Sequence, residues 1–95
     1  MSRDAVHVRC QATDDGWACT VRVGDDAAAT EHAVTVRRDD LEELVSGTTP
    51  EDVVEASFRF LLERESRESI LRRFDLPVIG RYFPEYREEI RRRLS

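Results

Sequence analysis

The chain has 95 residues, of which 40% are hydrophobic and 37% are charged, and its formal net charge is −5. This length predicts a single domain, residues 1–95, and the composition is typical of a folded protein with one modest core. The acidic balance counts against nucleic acid as the main partner, because it repels a phosphate backbone at long range. The apolar runs are too short for a membrane helix and no apolar signal segment opens the chain, so we expect a cytoplasmic protein without a membrane partner.

Three stretches of alternating apolar and polar residues predict an antiparallel sheet, at about 5–12, 17–23 and 31–37. The first two flank a turn at 13–16, where Asp-Gly is a strong hairpin signal. The side chains on the inward face are Val6, Val8, Cys10, Ala12, Trp17, Cys19, Val21, Val23, His32, Val34 and Val36. We therefore predict a three-stranded meander whose edges are 5–12 and 31–37.

The most apolar helix is predicted at about 50–65. Thr49 is a favourable N-cap, and Pro50 suits the first helical position. At 100° per residue its apolar side chains, with Phe60 near their centre, cover about 200° of the helix, roughly twice the width expected of a surface helix. We therefore expect this helix to lie between the sheet and the helices that follow it.

The other helices are predicted at about 40–46, 67–74, 77–82 and 84–94. Asp39 or Asp40 is the expected N-cap of the helix at 40–46. Pro77 is expected to end the helix at 67–74, and Pro84 to begin the helix at 84–94. The expected architecture is an α+β fold in which a three-stranded antiparallel sheet precedes four to five helices.

The segments SFRFLLERE and ILRRFDLPVIGRYFPEY resemble a small family of uncharacterised bacterial and archaeal proteins. The resemblance covers residues 57–86, about a third of the chain, and consists mostly of aromatic and aliphatic residues at core spacings. It implies no activity, cofactor or site residue for this chain.

Cys10 and Cys19 fall on the apolar face of the predicted hairpin. A four-residue turn at 13–16 places them directly opposite each other, whereas a two-residue Asp-Gly turn places Cys10 opposite Val21. We expect two buried, reduced thiols that behave as small hydrophobic groups and react slowly. A redox pair is the alternative, because a cytosolic disulfide is unusual unless it is regulatory.

A metal site on this face would need His32. A Val21–Val34 pairing places His32 about 13 Å along the sheet from Cys19, too far for shared ligation. The sequence also lacks a phosphate-binding glycine loop, and Ser57 lacks the context of a nucleophile. We therefore predict no metal, cofactor or catalytic residue, and no enzymatic activity.

The outward face of the predicted sheet carries His7, Arg9, Arg22 and Arg37 among alanines and threonines. Small side chains leave such a face bare, and the 5–12 edge has few of the charges that block edge pairing. We interpret these four residues as a partner surface. A solvated face and phosphate contacts by the arginines are the alternatives.

Arg91, Arg92 and Arg93 are weaker candidates for contacts with nucleic acid. Glu88 and Glu89 precede Arg92 and Arg93 by four residues, which favours ion pairs along one helix. The preferred hypothesis is a non-enzymatic protein-interaction or regulatory module that forms a homodimer through strand 5–12 or the face beside it. The alternative is a nucleic-acid-associated protein that uses the sheet-face or C-terminal arginines.

Overall fold

A computed structural model describes residues 4–94 as an α+β fold with one four-stranded mixed sheet and four α-helices. The strands are β1 (Val6–Ala12), β2 (Gly16–Val23), β3 (Thr30–Arg37) and β4 (Arg73–Asp75). The helices are α1 (Arg38–Leu44), α2 (Pro50–Leu62), α3 (Val78–Tyr82) and α4 (Tyr86–Leu94), with a 3₁₀ turn at Arg67–Ser69. The α+β class was predicted, but the sheet has one strand more than expected.

The β1–β2 hairpin has the register of a four-residue turn. Cys10 faces Cys19 and Ala12 faces Trp17. Gly16 begins β2 where a Cβ would collide with the carbonyl oxygen of Val36, so glycine is required there by the close approach of two strands.

Cys10 and Cys19 form a disulfide across this hairpin, with a Sγ–Sγ distance of 2.02 Å. The prediction of two reduced thiols was therefore wrong. Of the two registers that the sequence left open, the structure has the one in which Cys10 faces Cys19, and this register explains the bond, because side chains of directly opposed residues leave the same face of the sheet at close distance.

The register between β2 and β3 differs from the prediction by two residues. Val21 pairs with His32, and not with Val34. The connection is a polar loop in which Gly24 adopts a φ of 99° and the amide of Ala29 donates to the carbonyl of Asp26. A loop of this length does not set a register by itself, as a short hairpin turn does.

The prediction of a helix at 67–74 was wrong. The chain makes a short 3₁₀ turn and then runs as β4 parallel to β3, with Val34 opposite Phe74. The amide of Leu76 extends the ladder by donating to the carbonyl of Thr35 at 3.0 Å. Strand β3 is consequently internal, and the edges of the sheet are β1 and β4.

Helix α2 begins as predicted, since the Thr49 hydroxyl accepts a hydrogen bond from the amide of Asp52 at 3.1 Å. It ends at Leu62, three residues before the predicted end. Helix α1 begins directly after β3, so Asp39 and Asp40 lie in its first turn and do not cap it. Their negative charge there is still favourable to the helix dipole.

Helix α2 contacts β1 and β2 on one side and α4 on the other, which agrees with its wide apolar surface. Phe58 and Phe60 are fully buried within it. Phe60 packs edge-on against Phe83 and Tyr86, with ring centroids 5.8 Å and 5.4 Å away. The core therefore lies between one face of the sheet and the helices, and the opposite face of the sheet is open to solvent.

Candidate functional site

The open face of the sheet, which we call the outer face, carries all four residues predicted as a partner surface. Its exposed side chains are His7, Arg9, Gln11, Ala18, Thr20, Arg22, Glu31, Thr35, Arg37, Arg73 and Asp75, and the half-buried Ala33 lies between them. The strand register places His7 beside Arg22 and Arg9 beside Thr20, while Arg37 lies at the far end beside Gly16. The four residues share one face, but they do not form a single cluster.

One row of the outer face crosses all four strands, from Arg9 through Thr20 and Ala33 to Arg73. Strands lie about 4.8 Å apart, so the two arginines stand roughly 14 Å apart at the backbone, with only small side chains between them. Arg9 and Arg73 line a shallow depression of ≈ 470 Å³ whose floor includes Thr20 and Thr35. Two guanidinium groups thus lie on either side of a surface of small side chains, which has no protruding group that would exclude a partner.

Two of the predicted residues already have ionic partners. His7 lies 2.9 Å from a carboxylate oxygen of Asp25, and Arg22 lies 3.6 Å from Glu31. Ion pairs this exposed contribute little to stability, but they do reduce the charge that a partner would meet. Within residues 4–94, Arg9 and Arg37 have no ion-pair partner, so they are the members of the predicted set best placed to contact another molecule.

Arg73 and Asp75 belong to the outer face and were missed by the sequence reasoning, which placed Arg73 at the end of a helix and left Asp75 just after it. The signal that could have found them is the alternation in Arg73-Phe74-Asp75-Leu76, where Phe74 and Leu76 are buried and the charged residues are exposed. Four alternating residues are a weak signal when apolar residues nearby also fit a helical spacing.

The free edge of β1 offers unpaired backbone groups within the described chain. Hydrogen bonds from Thr13 to Gly16 (2.8 Å) and from Gly24 to Ala5 (2.7 Å) place the odd-numbered residues of β1 in the hydrogen-bonded pairs with β2. Since such pairs alternate along an antiparallel ladder, the even-numbered residues direct their N–H and C=O groups away from β2. These residues are Val6, Val8, Cys10 and Ala12.

The C-terminal arginines are engaged within the fold. Arg91 donates to the carbonyl of Leu44 at 2.8 Å and so satisfies an unpaired group at the end of α1. Arg92 and Arg93 both pair with Glu89, at 3.0 Å and 3.5 Å. The Arg91 bond ties α4 to α1, whereas the pairs with Glu89 lie within α4, and all of these contacts leave less charge for a partner.

A buried pair of hydroxyl groups connects α2 and α4. Ser57 donates to the carbonyl of Val53 at 2.7 Å and, having used its proton, accepts from the Tyr86 hydroxyl at 2.6 Å. Burial raises the pKa of Tyr86 well above its ordinary value, which keeps the phenol a neutral donor. Ser57 and Tyr86 therefore form a buried structural link between α2 and α4.

No protein-family model matches the chain, and searches of curated proteins and of solved structures also found no match. Each helix between residues 4 and 94 is too short or too polar to cross a membrane. Over the same residues, no group of three or more His, Cys, Asp and Glu side chains is arranged to hold a metal ion. The function therefore has to be inferred from the surfaces of the molecule.

Proposed function

We propose that this protein is a small, non-enzymatic interaction module that self-associates as a homodimer through the free edge of β1 and the adjoining outer face. The observation that supports this proposal is the edge itself. Val6, Val8, Cys10 and Ala12 present N–H and C=O groups along about 23 Å of strand, and edges of this length are usually blocked by proline, lysine or a covering segment. A second copy related by a two-fold axis would satisfy these groups.

The charges on β1 limit how two copies can align. A two-fold axis at Arg9 would place the two Arg9 side chains opposite each other, and an axis at Val8 would pair Arg9 with His7. An axis at Cys10 pairs Arg9 with the neutral Gln11 instead, and also places the backbone groups of Val8 opposite those of Ala12. We therefore propose the antiparallel alignment centred on Cys10, which would join two sheets into one of eight strands.

Sedimentation equilibrium of the wild-type protein tests this proposal directly. We expect a dimer at protein concentrations of about 100 μM, which corresponds to a modest association free energy. A chain that remains monomeric at that concentration would eliminate the homodimer, and the interaction module would then need a different partner.

Val8→Pro and Val8→Ala form a matched pair for the proposed edge. Both replace the branched valine side chain, but only Val8→Pro removes the N–H that points away from β2. We expect Val8→Pro to be monomeric and Val8→Ala to dimerise, with circular dichroism confirming that both remain folded. Arg9→Pro is unsuitable as a test, because the N–H of Arg9 belongs to the ladder with β2.

The second candidate function is association with nucleic acid. The specific observation that favours it is the pair Arg9 and Arg73 on either side of the shallow depression. The described residues of the outer face include no phenylalanine, tyrosine or tryptophan on which bases could stack, so contacts there would be made mainly to phosphate.

A cytoplasmic location remains part of the proposal, and it has a consequence for the Cys10–Cys19 disulfide. Disulfides in that compartment are unusual unless they are redox-active. Alkylation of free thiols in freshly lysed cells, followed by mass spectrometry, would show which state the pair adopts.

A further inference from the structure

An apolar groove lies at the other end of the sheet from β1. It is bounded by the turn after α2, by the segment leading into β4, and by α3, and its volume is ≈ 230 Å³. Ile70, Phe74 and Ile79 form its apolar walls, and all three are buried. Because the groove borders β4 and the proposed dimer uses β1, a dimer would leave it open.

Two large hydrophobic side chains stand at the rim of this groove. Leu71 is 47% exposed and Tyr82 is 67% exposed, and both line the groove. They are the large hydrophobic residues that residues 4–94 leave exposed. Because both side chains line the groove, the apolar surface extends from the cavity onto the outside of the molecule.

Glu65 is the charged residue among those that line the groove. It is half-buried, and burial raises the pKa of its carboxyl group above the ordinary value. No arginine in the described part of the chain pairs with it, although the neighbouring Arg64 lies over the ring of Phe60 and pairs with Glu85 at 3.2 Å. A partly desolvated carboxylate without a counter-charge favours a cation beside the groove.

We propose that this groove binds a polypeptide partner that inserts one apolar side chain, flanked by a lysine or arginine that pairs with Glu65. The cavity is smaller than the roughly 300–1,000 Å³ of sites that enclose a small-molecule ligand, and it suits a single aromatic or branched side chain. The exposed rim then contacts the backbone and neighbouring residues of the partner, as the surroundings of a buried anchor do in protein interfaces. The charge of Glu65 selects a cationic neighbour over an acidic one.

The test titrates isotopically labelled protein with short blocked peptides and follows the backbone amide resonances by NMR. The probe is an acetylated and amidated tripeptide, Lys-Phe-Lys. We expect it to shift the resonances of Leu71, Ile79 and Tyr82 with a Kd of about 1 mM or lower, since a single anchor gives only modest affinity. Lys-Ala-Lys and Glu-Phe-Glu should bind several-fold more weakly, because they lack the anchor or the cation.

Glu65→Gln and Glu55→Gln are matched variants for the charge. Glu55 is exposed on α2 and does not line the groove, so both variants change the net charge equally. We expect Glu65→Gln to weaken binding of Lys-Phe-Lys by about threefold to fivefold, as for a partly exposed ion pair, and Glu55→Gln to leave it unchanged. Tyr82→Ala, which alters the exposed rim and spares the core, should weaken it as well.

Several results would overturn the proposal. These are the absence of shifts in the groove at peptide concentrations of about 5 mM, equal affinity for Lys-Phe-Lys and Glu-Phe-Glu, or equal weakening by both glutamate variants. Phenethylamine is the remaining probe, because it carries the same aromatic ring and cation without a peptide backbone. If it bound as tightly as Lys-Phe-Lys, the groove would be a site for small amines and not for a polypeptide.

Discussion

His32 is a buried histidine whose two ring nitrogens both have partners. Nδ1 donates to the carbonyl of Leu71 at 2.8 Å, which can only accept, so neutral Nε2 accepts from the Thr30 hydroxyl at 2.9 Å. The ring also packs against Phe58, with centroids 5.3 Å apart. The residue therefore joins β3 to α2 and to the segment before β4.

The first prediction concerns the protonation of His32. Burial lowers the pKa of His32 in the folded protein, and the nearby charge of Arg72 acts in the same direction, while the bond to Leu71 opposes them. The unfolded chain, with a histidine pKa of about 6.5, therefore takes up the proton first as the pH falls. We expect the free energy of unfolding to be lower at about pH 5.5 than at about pH 7, because the pKa of about 6.5 in the unfolded chain lies between them and the folded protein takes up the proton only at a lower pH.

Urea unfolding at both pH values measures this decrease. His32→Gln should lower the stability at each pH but remove most of the difference between them. The control is His7→Gln, which removes the other histidine, exposed on the outer face, and leaves His32 in place. An undiminished difference in His32→Gln would show that other groups cause the pH dependence.

The second prediction concerns the Cys10–Cys19 disulfide. The bond closes a short loop, since the two residues are 9 positions apart, and loop closure of this size stabilises a fold by about 2–3 kcal/mol. We expect reduction to lower the free energy of unfolding by this amount. Unfolding of the wild type with and without dithiothreitol gives the measurement, and the double variant Cys10→Ala, Cys19→Ala should not respond to the reductant. If fully reduced wild type kept its midpoint, the bond would contribute nothing.

At the scale of the elements, α2 is the one whose burial matters most to the fold. Phe60 is 0% exposed and lies at the centre of the aromatic contacts with Phe83 and Tyr86. The third prediction is that Phe60→Ala lowers the free energy of unfolding by about 3–5 kcal/mol, because it removes a ring and leaves a cavity. Leu62→Ala, at a half-buried position on the same helix, should cost less. Equal losses in the two variants would contradict this view of the core.

The elements that the sequence predicts best are those with local signals. The first hairpin has a turn motif and two alternating strands, and α2 has a cap, an N-terminal proline and a long apolar surface, so both were placed nearly correctly. Strand β4 has three residues, and its identity depends on pairing with β3, which is far away in the chain. The neighbouring apolar residues have helical spacing, and the segment was therefore predicted as part of a helix.

The same distinction applies to the candidate sites. The parity of the first three strands was enough to place His7, Arg9, Arg22 and Arg37 on one face. Arg73 joins that face only through β4, and the ion pairs of His7 and Arg22 depend on the loop and on the β2–β3 register. The apolar groove is built from α2, β4 and α3 together, so its shape depends on the packing of segments that are far apart in the sequence.

At the scale of the whole molecule, the charge distribution separates the two candidate functions. The chain carries a net charge of −5, yet the outer face holds arginines, such as Arg9, that have no ion-pair partner among residues 4–94. Two copies of the whole molecule repel each other through their net charge, and salt screens that repulsion. Binding of arginines to a phosphate backbone weakens with salt instead, because it releases condensed counterions.

The fourth prediction follows from this opposition of signs. Between about 20 mM and about 300 mM sodium chloride the Debye length falls from roughly 20 Å to roughly 6 Å, so we expect the association constant of the dimer, measured by sedimentation equilibrium, to stay constant or rise.

Fluorescence anisotropy with a labelled oligonucleotide of mixed sequence provides the comparison, and we expect no micromolar binding at either salt concentration. Micromolar binding that weakens steeply with salt would favour the nucleic-acid function. The double variant Arg9→Gln, Arg73→Gln should then show a weaker salt dependence, because each lost phosphate contact reduces the slope of log K against log salt concentration by about one. If the association constant of the dimer fell with salt, attraction between unlike charges, and not backbone pairing at the β1 edge, would hold the two copies together.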